Sequence, residues 1–357
     1  MSRLSTILFC GGGSLGHIAP SLAVFESIRK MQPDTHAVFI CANRSDERAM
    51  LESAGMPFRT IRAGKFPRGF GIRLITFPFL FVCSIIESMV ALRSIKPDII
   101  FSKGGYVSVP VCLAAFTFRL PIILHTSDSV PNLSDRLIGR IARKICTGFP
   151  YDSFPPKLRQ KAIRTGNPVR AMISTGLRAA GQRITGFSGK RPVLMIIGGS
   201  QGSVALNQAV DRQFDRLVNL ADIIHLTGIG KEIQRTHARY WARPSVIDEM
   251  PHLLSLADVV ITRAGAAALS ELALLGKAAI VVPLTGIAHD HQLRNAEVLA
   301  AAGAIDLLKE ERISILTEHA DSLLKNHDRR RVMGDALRKM FPSDAASRIA
   351  GVVLDVL

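Results

Sequence analysis

The chain has 357 residues, 48% of them apolar and 21% charged, with a formal net charge of +16. That length suffices for two domains with separate cores, and five scattered cysteines without a C-x-x-C pair speak against a disulfide scaffold or a thiolate metal site. The basic excess is uneven: residues 1–167 hold 22 Lys and Arg against 10 Asp and Glu, and residues 168–357 hold 23 against 19, which points the first half toward an anionic partner.

The opening "STILFC" reads as a first buried strand. It is too short for the apolar core of an export signal, and Phe9 is not the small residue that processing before Cys10 would need. It leads into "GGGSLGH", Gly11–His17, where Gly11, Gly13 and Gly16 satisfy G-x-G-x-x-G. A dinucleotide site also asks for an acid closing the second strand. Here "HAVFICAN" ends in Asn43 and is followed by Arg44, with Asp46 and Glu47 only later. Arg44 would suit a ribose phosphate, which keeps an NADP-dependent oxidoreductase as an alternative.

The stretch Phe66–Ile95 breaks the strand–helix rhythm. Leu74–Ile86 is thirteen uncharged, mostly apolar residues, short for a bilayer span and interrupted or flanked by Arg73, Pro78 and Glu87. Two readings stand: a buried helix, or an interfacial patch in which Phe66, Phe70, Phe77 and Phe79, beside Lys65, Arg68 and Arg73, meet anionic headgroups. Strands "DIIFS" and "PIILHT" follow. After "TGNPVR", Thr165–Arg170, and a polar stretch, the alternation restarts with "PVLMIIGGS", "ADIIHLTG", "DVVITRAG" and "AAIVVPL". Repeated strand–turn–helix units predict an α/β fold of two Rossmann-like domains facing across a cleft, with ligands at the C-terminal strand ends. The expected domains are 1–167 and 168–340, with a C-terminal helix in 341–357 packing back on the first.

The second half carries three promising turns. In "GGSQGSVALNQ", Gly198–Gln208, backbone N–H groups and the Ser200 hydroxyl can approach a phosphate at a helix start. In "TRAGAAALSELALLGKA" the small residues Gly265–Ala268 allow close approach, and Glu271 offers an acceptor-only carboxylate to a ribose diol. "HDHQLRNA", His289–Ala296, adds amide and imidazole groups. Its His-Asp-His run lacks the spacing of a metal site, and no metal or other cofactor is expected. Together these groups suit a nucleotide sugar, with no D-x-D to bridge a metal to the diphosphate. Cations such as Arg170 and helix ends would then neutralise the departing diphosphate.

These motifs, with "KGGYVSVP" and "ILHTSDSVPNLSDRL", resemble the MurG family of bacterial glycosyltransferases (glycosyltransferase family 28) from residue 5 to about 306. Members add N-acetylglucosamine from UDP-N-acetylglucosamine to lipid I, giving lipid II for peptidoglycan. The resemblance implies the two-domain GT-B fold, with the donor mainly on the C-terminal domain and the acceptor lipid on the N-terminal one. It implies a peripheral protein on the cytoplasmic face of the membrane, partnered by an anionic lipid surface and open to cell-wall synthesis proteins. Nucleic acid is not expected, because no aromatic-plus-basic RNA-binding signature is present. By position, Arg170, Ser200, Ile247 and Gln292 would contact the donor, Ile247 reading uracil through its main chain. Ala266, Ala267, Ala268, Leu269, Ser270 and Glu271 would line the donor site. Ser14, Leu15 and Gly16 would form the loop over the diphosphate and acceptor, and His17 would be the general base.

Two departures from the family pattern stand out. Leu15 replaces a glycine in the first loop, and would be strained if its φ were positive. "HTSD", His125–Asp128, replaces His-Glu-Gln-Asn, whose Asn touches the donor sugar in the family, so that Asp128 presents a carboxylate in place of an amide and would either accept from the donor's sugar hydroxyls or serve as a second candidate base. A related enzyme acting on another lipid-linked acceptor is the nearest rival reading.

Overall fold

The computed structural model describes residues 5–13, 15–64, 72–199, 201–286 and 290–357, with backbone alone at Leu15 and at 72–74. The chain divides into two compact units, Met1–Arg170 with Asp344–Leu357, and Ala171–Ser343. In the first, β1 (Thr6–Cys10), β2 (His36–Ala42), β3 (Phe58–Ile61), β4 (Ile99–Ser102), β5 (Ile122–Thr126), β6 (Lys144–Thr147) and β7 (Ala162–Arg164) form one parallel sheet. Its order is β3-β2-β1-β4-β5-β6-β7. Ile7 and Phe9 of β1 enter one core cluster with Phe39, Phe101 and Ile123, while Leu8 and Cys10 enter another with Ile40, Ile100 and Leu124. Successive side chains thus go to opposite faces and both faces are covered, which is why the central strands are continuous apolar runs. The last helix, Ala345–Leu354, completes this core. Its Ile349, Ala350 and Val353 share a cluster with Ile18, Val24, Phe25 and Ile28 of the helix Leu15–Met31.

The helix Ile72–Ile95 continues through Pro78 and is, over Ile75–Ile95, long and apolar enough to cross a membrane by length and composition. One side is seated: Ser84, Ser88, Ala91 and Leu92 are buried. On the other, Ile75, Phe79, Val82, Ile86 and Val90 form an exposed stripe at helical spacing, with Ile75 80% and Phe79 72% accessible. The helix is therefore neither wholly core nor wholly surface. Phe77 departs from the expected patch: it is half-buried and stacks on Phe81 at 5.7 Å, because residues two apart point to different sides of a helix. Phe66 and Phe70 lie outside the described residues, as do Lys65 and Arg68.

In the second unit β8 (Val193–Ile197), β9 (Asp222–Leu226), β10 (Tyr240–Arg243), β11 (Val259–Thr262), β12 (Ala278–Val281) and β13 (Asp306–Leu307) form a parallel sheet in the order β10-β9-β8-β11-β12-β13. The polar stretch before β8 contains the helix Arg178–Thr185. Gly181 lets it approach closely, since a Cβ there would lie 2.6 Å from the carbonyl oxygen of His252, and Arg178 donates to the Leu256 carbonyl at 2.7 Å. All five cysteines are free thiols, four of them buried and Cys83 half-buried.

Strand order reverses between β1 and β4 in one unit and between β8 and β11 in the other. In parallel α/β sheets the crevice at such a reversal, beyond the C-terminal strand ends, is where ligands bind. The register keeps those ends level: Cys10 pairs with Ser102, and Ile197 with Thr262.

Candidate active site

In the first unit the turn after β1 sits at that reversal. Gly13 takes φ +98°, and a Cβ on it would meet the Tyr106 ring at 2.5 Å, so only glycine fits. The left-handed residue of the turn is thus Gly13. Leu15 opens the helix Leu15–Met31 in helical geometry, so the strain expected from a side chain at that position does not arise. Ser14 lies outside the described residues, and Gly16 is exposed.

A carboxylate not singled out in the sequence holds this turn. Glu47, wholly buried at its side chain, accepts the N–H of Gly13 at 2.5 Å and that of Ala42 at 3.0 Å. Burial pushes its carboxyl upward. The turn therefore spends an amide on the protein's own anion, an arrangement that disfavours the pyrophosphate of a dinucleotide there. Arg44, the residue left for an NADP phosphate, is paired with Asp46 at 2.8 Å.

His17 lies in the first turn of the helix. Its ring packs on the loop after β4, where a Cβ on Gly105 would meet Cε1 at 2.8 Å. Its Nδ1 is buried without a hydrogen-bond partner among the described residues. Burial and the nearby Lys103 cation lower the imidazole to about 4. A neutral ring is what a general base requires at pH 7, though its basicity in the free protein is below that of an ordinary histidine.

Lys103 follows β4 and is 5% exposed. Its Nζ donates to the Ser127 hydroxyl; desolvation lowers it to about 8, against the attraction of Asp128 and Asp135. Asp135 is buried in a capping box with Asn132, accepts the Thr126 hydroxyl at 2.9 Å, and is raised by burial to about 7. Asp128 is half-buried. His125 is fully buried with Nε2 on the Gly166 carbonyl at 3.0 Å, which makes it a structural histidine. Thus His17, in the first turn of its helix, and Asp128, on the loop after β5, each interact with the Lys103 cation.

In the second unit the turn after β8 is tight. Gly202 takes φ +68°, and a Cβ there would meet the Thr227 carbonyl and the Gly228 Cα. Ser203 caps the helix Val204–Arg212 by accepting the Leu206 N–H at 3.3 Å. Arg263, buried after β11, donates to the Ser203 hydroxyl through Nε at 3.1 Å and Nη2 at 2.6 Å. Its Nη1 reaches the Val282 carbonyl at 3.1 Å and pairs with Glu310. One guanidinium therefore fixes the ends of β8, β11 and β12 together, a role no motif announced.

The helix Ala266–Leu275 begins at Gly265, which has no side chain to cap it and has nothing within 4 Å of a built Cβ. The first N–H groups of a helix without a side-chain cap suit an anion. Of the six residues expected to line a donor, Leu269 and Ser270 turn into the core, Ser270 donating to the Ala266 carbonyl at 2.7 Å. Ala266 is buried at its side chain too, so it can contribute its amide alone. Ala267 is exposed, and Ala268 and Glu271 are half-buried. Gln292 already accepts the Leu284 N–H at 3.1 Å, which leaves its amide NH₂ for a ligand. Ile247 is 59% exposed, and Arg170 is the last residue of the first unit. Ser200 and His289 lie outside the described residues.

Known proteins resemble this chain along most of its length. Residues 7–147 match the Glycosyltransferase family 28 N-terminal domain and residues 193–349 the family 28 C-terminal domain. A Bacillus cereus protein named UDP-N-acetylglucosamine–N-acetylmuramyl-(pentapeptide) pyrophosphoryl-undecaprenol N-acetylglucosamine transferase 2 is 34% identical over 97% of this chain and 98% of its own. A Clostridium kluyveri transferase of the same name, without the numeral, is 36% identical over 86% and 87%. Among solved structures, MurG of Acinetobacter baumannii superposes with a TM-score of 0.75 at 25% identity, covering 99% of this chain and all of that one.

Proposed function

The chain belongs to glycosyltransferase family 28, and on that premise we propose that it transfers N-acetylglucosamine from UDP-N-acetylglucosamine to lipid I, a muramyl-pentapeptide carried on pyrophosphoryl-undecaprenol, giving lipid II. The observation that carries this is the end-to-end likeness to the Bacillus cereus transferase, which leaves no domain of either protein unmatched. The expected result is UDP release from UDP-N-acetylglucosamine that rises sharply when a lipid I analogue is added. Equal release with and without the analogue, or release only with another lipid-linked sugar, would reject this acceptor.

In the mechanism we propose, the second unit holds the donor. The uncapped start of the helix Ala266–Leu275 and the turn after β8 offer N–H groups to the diphosphate, Glu271 engages the ribose, and Ile247 the uracil through its main chain. Ser200, Gln292 and Arg170 complete the donor contacts. The first unit takes the acceptor. His17 accepts the proton of the acceptor hydroxyl as that oxygen attacks C1 from the face opposite UDP, so the configuration inverts. The bond from C1 to the diphosphate oxygen breaks, and UDP leaves with the electron pair. Charge on UDP is met by helix ends and Arg170.

The stripe on the helix Ile72–Ile95 gives the acceptor reading a physical setting. An undecaprenyl tail stays in the bilayer, so an enzyme for such a lipid gains from an apolar face beside basic residues, and the protein would sit peripherally on the cytoplasmic leaflet. Phe79 tests this cleanly because it carries little packing. Phe79→Ser should weaken binding to anionic liposomes by about 2 kcal/mol, roughly thirtyfold, with an unchanged melting curve. Phe77→Ser, by contrast, should also lower the melting point. Undiminished liposome binding by Phe79→Ser would remove the stripe from the membrane.

A further inference from the structure

Three loops meet at the C-terminal ends of β1, β4 and β5, and one residue, Lys103, touches all of them. The Lys103 main-chain N–H donates to the Cys10 carbonyl at 2.9 Å, at the start of the turn that leads to His17. A Cβ on Gly11 would lie 3.1 Å from the Lys103 Cβ and 3.2 Å from the His17 Cβ, so lysine stem and histidine flank the same glycine. The ammonium ends on Ser127, next to Asp128. Among the described residues that is its one hydrogen bond.

We propose that Lys103 is a positioning residue of the transfer: its backbone and stem hold the turn that leads to His17, its buried ammonium holds the loop of Ser127 and Asp128, and its positive charge acts on both candidate bases. This rests on the reading of His17 as the base. The groups facing the ammonium come from every element packed on it. His17 comes from the first helix, His125 from β5, Asp128 from the following loop, and Asp135 from the helix Leu133–Ile141. Glu47 and Tyr106 bound the far side of the glycine turn. The two imidazoles are pushed toward the neutral form by this cation, and the two carboxylates are drawn to it. A neutral side chain of the same length would keep the packing and lose the charge.

The test uses the full-length protein with ring-labelled histidine, the His17 signal being assigned by its loss in His17→Ala. Lys103→Met should move the His17 titration upward by about one pH unit, and Lys103→Arg should leave it near the wild-type value. The acid limb of kcat/KM should move with the ring in Lys103→Met and return in Lys103→Arg. Circular dichroism melting reports whether each variant has folded, and UDP affinity, measured by calorimetry, should stay constant. A His17 titration unmoved in Lys103→Met overturns the proposal, whatever the activity does. A ring that moves while the acid limb of activity stays in place rejects His17 as the base, and with it this role of Lys103.

Discussion

His17→Ala is expected to lower turnover by about 10²–10⁴-fold, the usual contribution of a general base, while UDP affinity stays within a factor of two or so of wild type. The separation follows from the fold: His17 belongs to the first unit, and the groups proposed for the nucleotide belong mainly to the second. The pH profile sharpens the test. A base works unprotonated, and with its imidazole lowered to about 4 the active form of the free protein is complete at neutrality and is lost only as pH falls through that value. kcat/KM, which reports the free enzyme, should therefore stay level from about pH 8 down to about pH 5, where an ordinary histidine would already have halved it near 6.5. Bound diphosphates bring negative charge, which favours imidazolium, so the acid limb of kcat should lie at higher pH than that of kcat/KM. If His17→Ala retains turnover within about tenfold of wild type while Asp128→Asn abolishes it, the base is Asp128.

The measurement has a floor set by stability. His17 and His225 are each lowered to about 4, and His125 is lowered as well, chiefly by burial. The unfolded chain takes up those protons below about 6.5 and the folded chain does not, so stability declines as pH falls from there toward the folded values. Circular dichroism at each pH separates that loss from the protonation of a catalytic ring.

Most of the fold was legible in the sequence, and the strands that were missed share a cause. The eight that read clearly lie toward the middle of the two sheets, where both faces are covered and the chain must be apolar throughout. Phe58–Ile61, Ala162–Arg164, Tyr240–Arg243 and Asp306–Leu307 are the four edges, and Lys144–Thr147 is next to one. Short edge strands need no such run and carry Arg, Lys or Asp, so nothing in their pattern sets them apart from loops. The site divides in the same way. His17 and Glu271 sit inside recognisable turns. Glu47, Lys103 and Arg263 were not singled out because nothing local distinguishes a buried charge from a solvated one. Each has a partner far off in sequence, 34, 24 and 60 residues away. Leu15 drew attention for its type alone, whereas the conformational demand falls on Gly13.

Arg263→Met should be the most damaging substitution in the second unit, costing about 3 kcal/mol. The guanidinium is 7% exposed and its donors are spent on Ser203, the Val282 carbonyl and Glu310. Methionine fills the volume and satisfies none of these. Glu310 keeps some access to water, its side chain being 31% exposed, which holds the cost to the lower end for a broken buried pair. Ser203→Ala, which removes the cap and one of the guanidinium's partners, should cost about 1 kcal/mol, and the gap between the two values measures what Arg263 does beyond capping. That remainder is the tether on the β8 turn and the end of β12, so Arg263→Met should weaken UDP binding as well as stability. Arg263→Lys should restore little, because a single ammonium cannot span a hydroxyl, a carbonyl and a carboxylate that a planar fork reaches together. Denaturant midpoints and calorimetric UDP titration decide the matter. A variant that unfolds at the wild-type midpoint and binds UDP equally well would show that the turn after β8 holds its shape without this guanidinium.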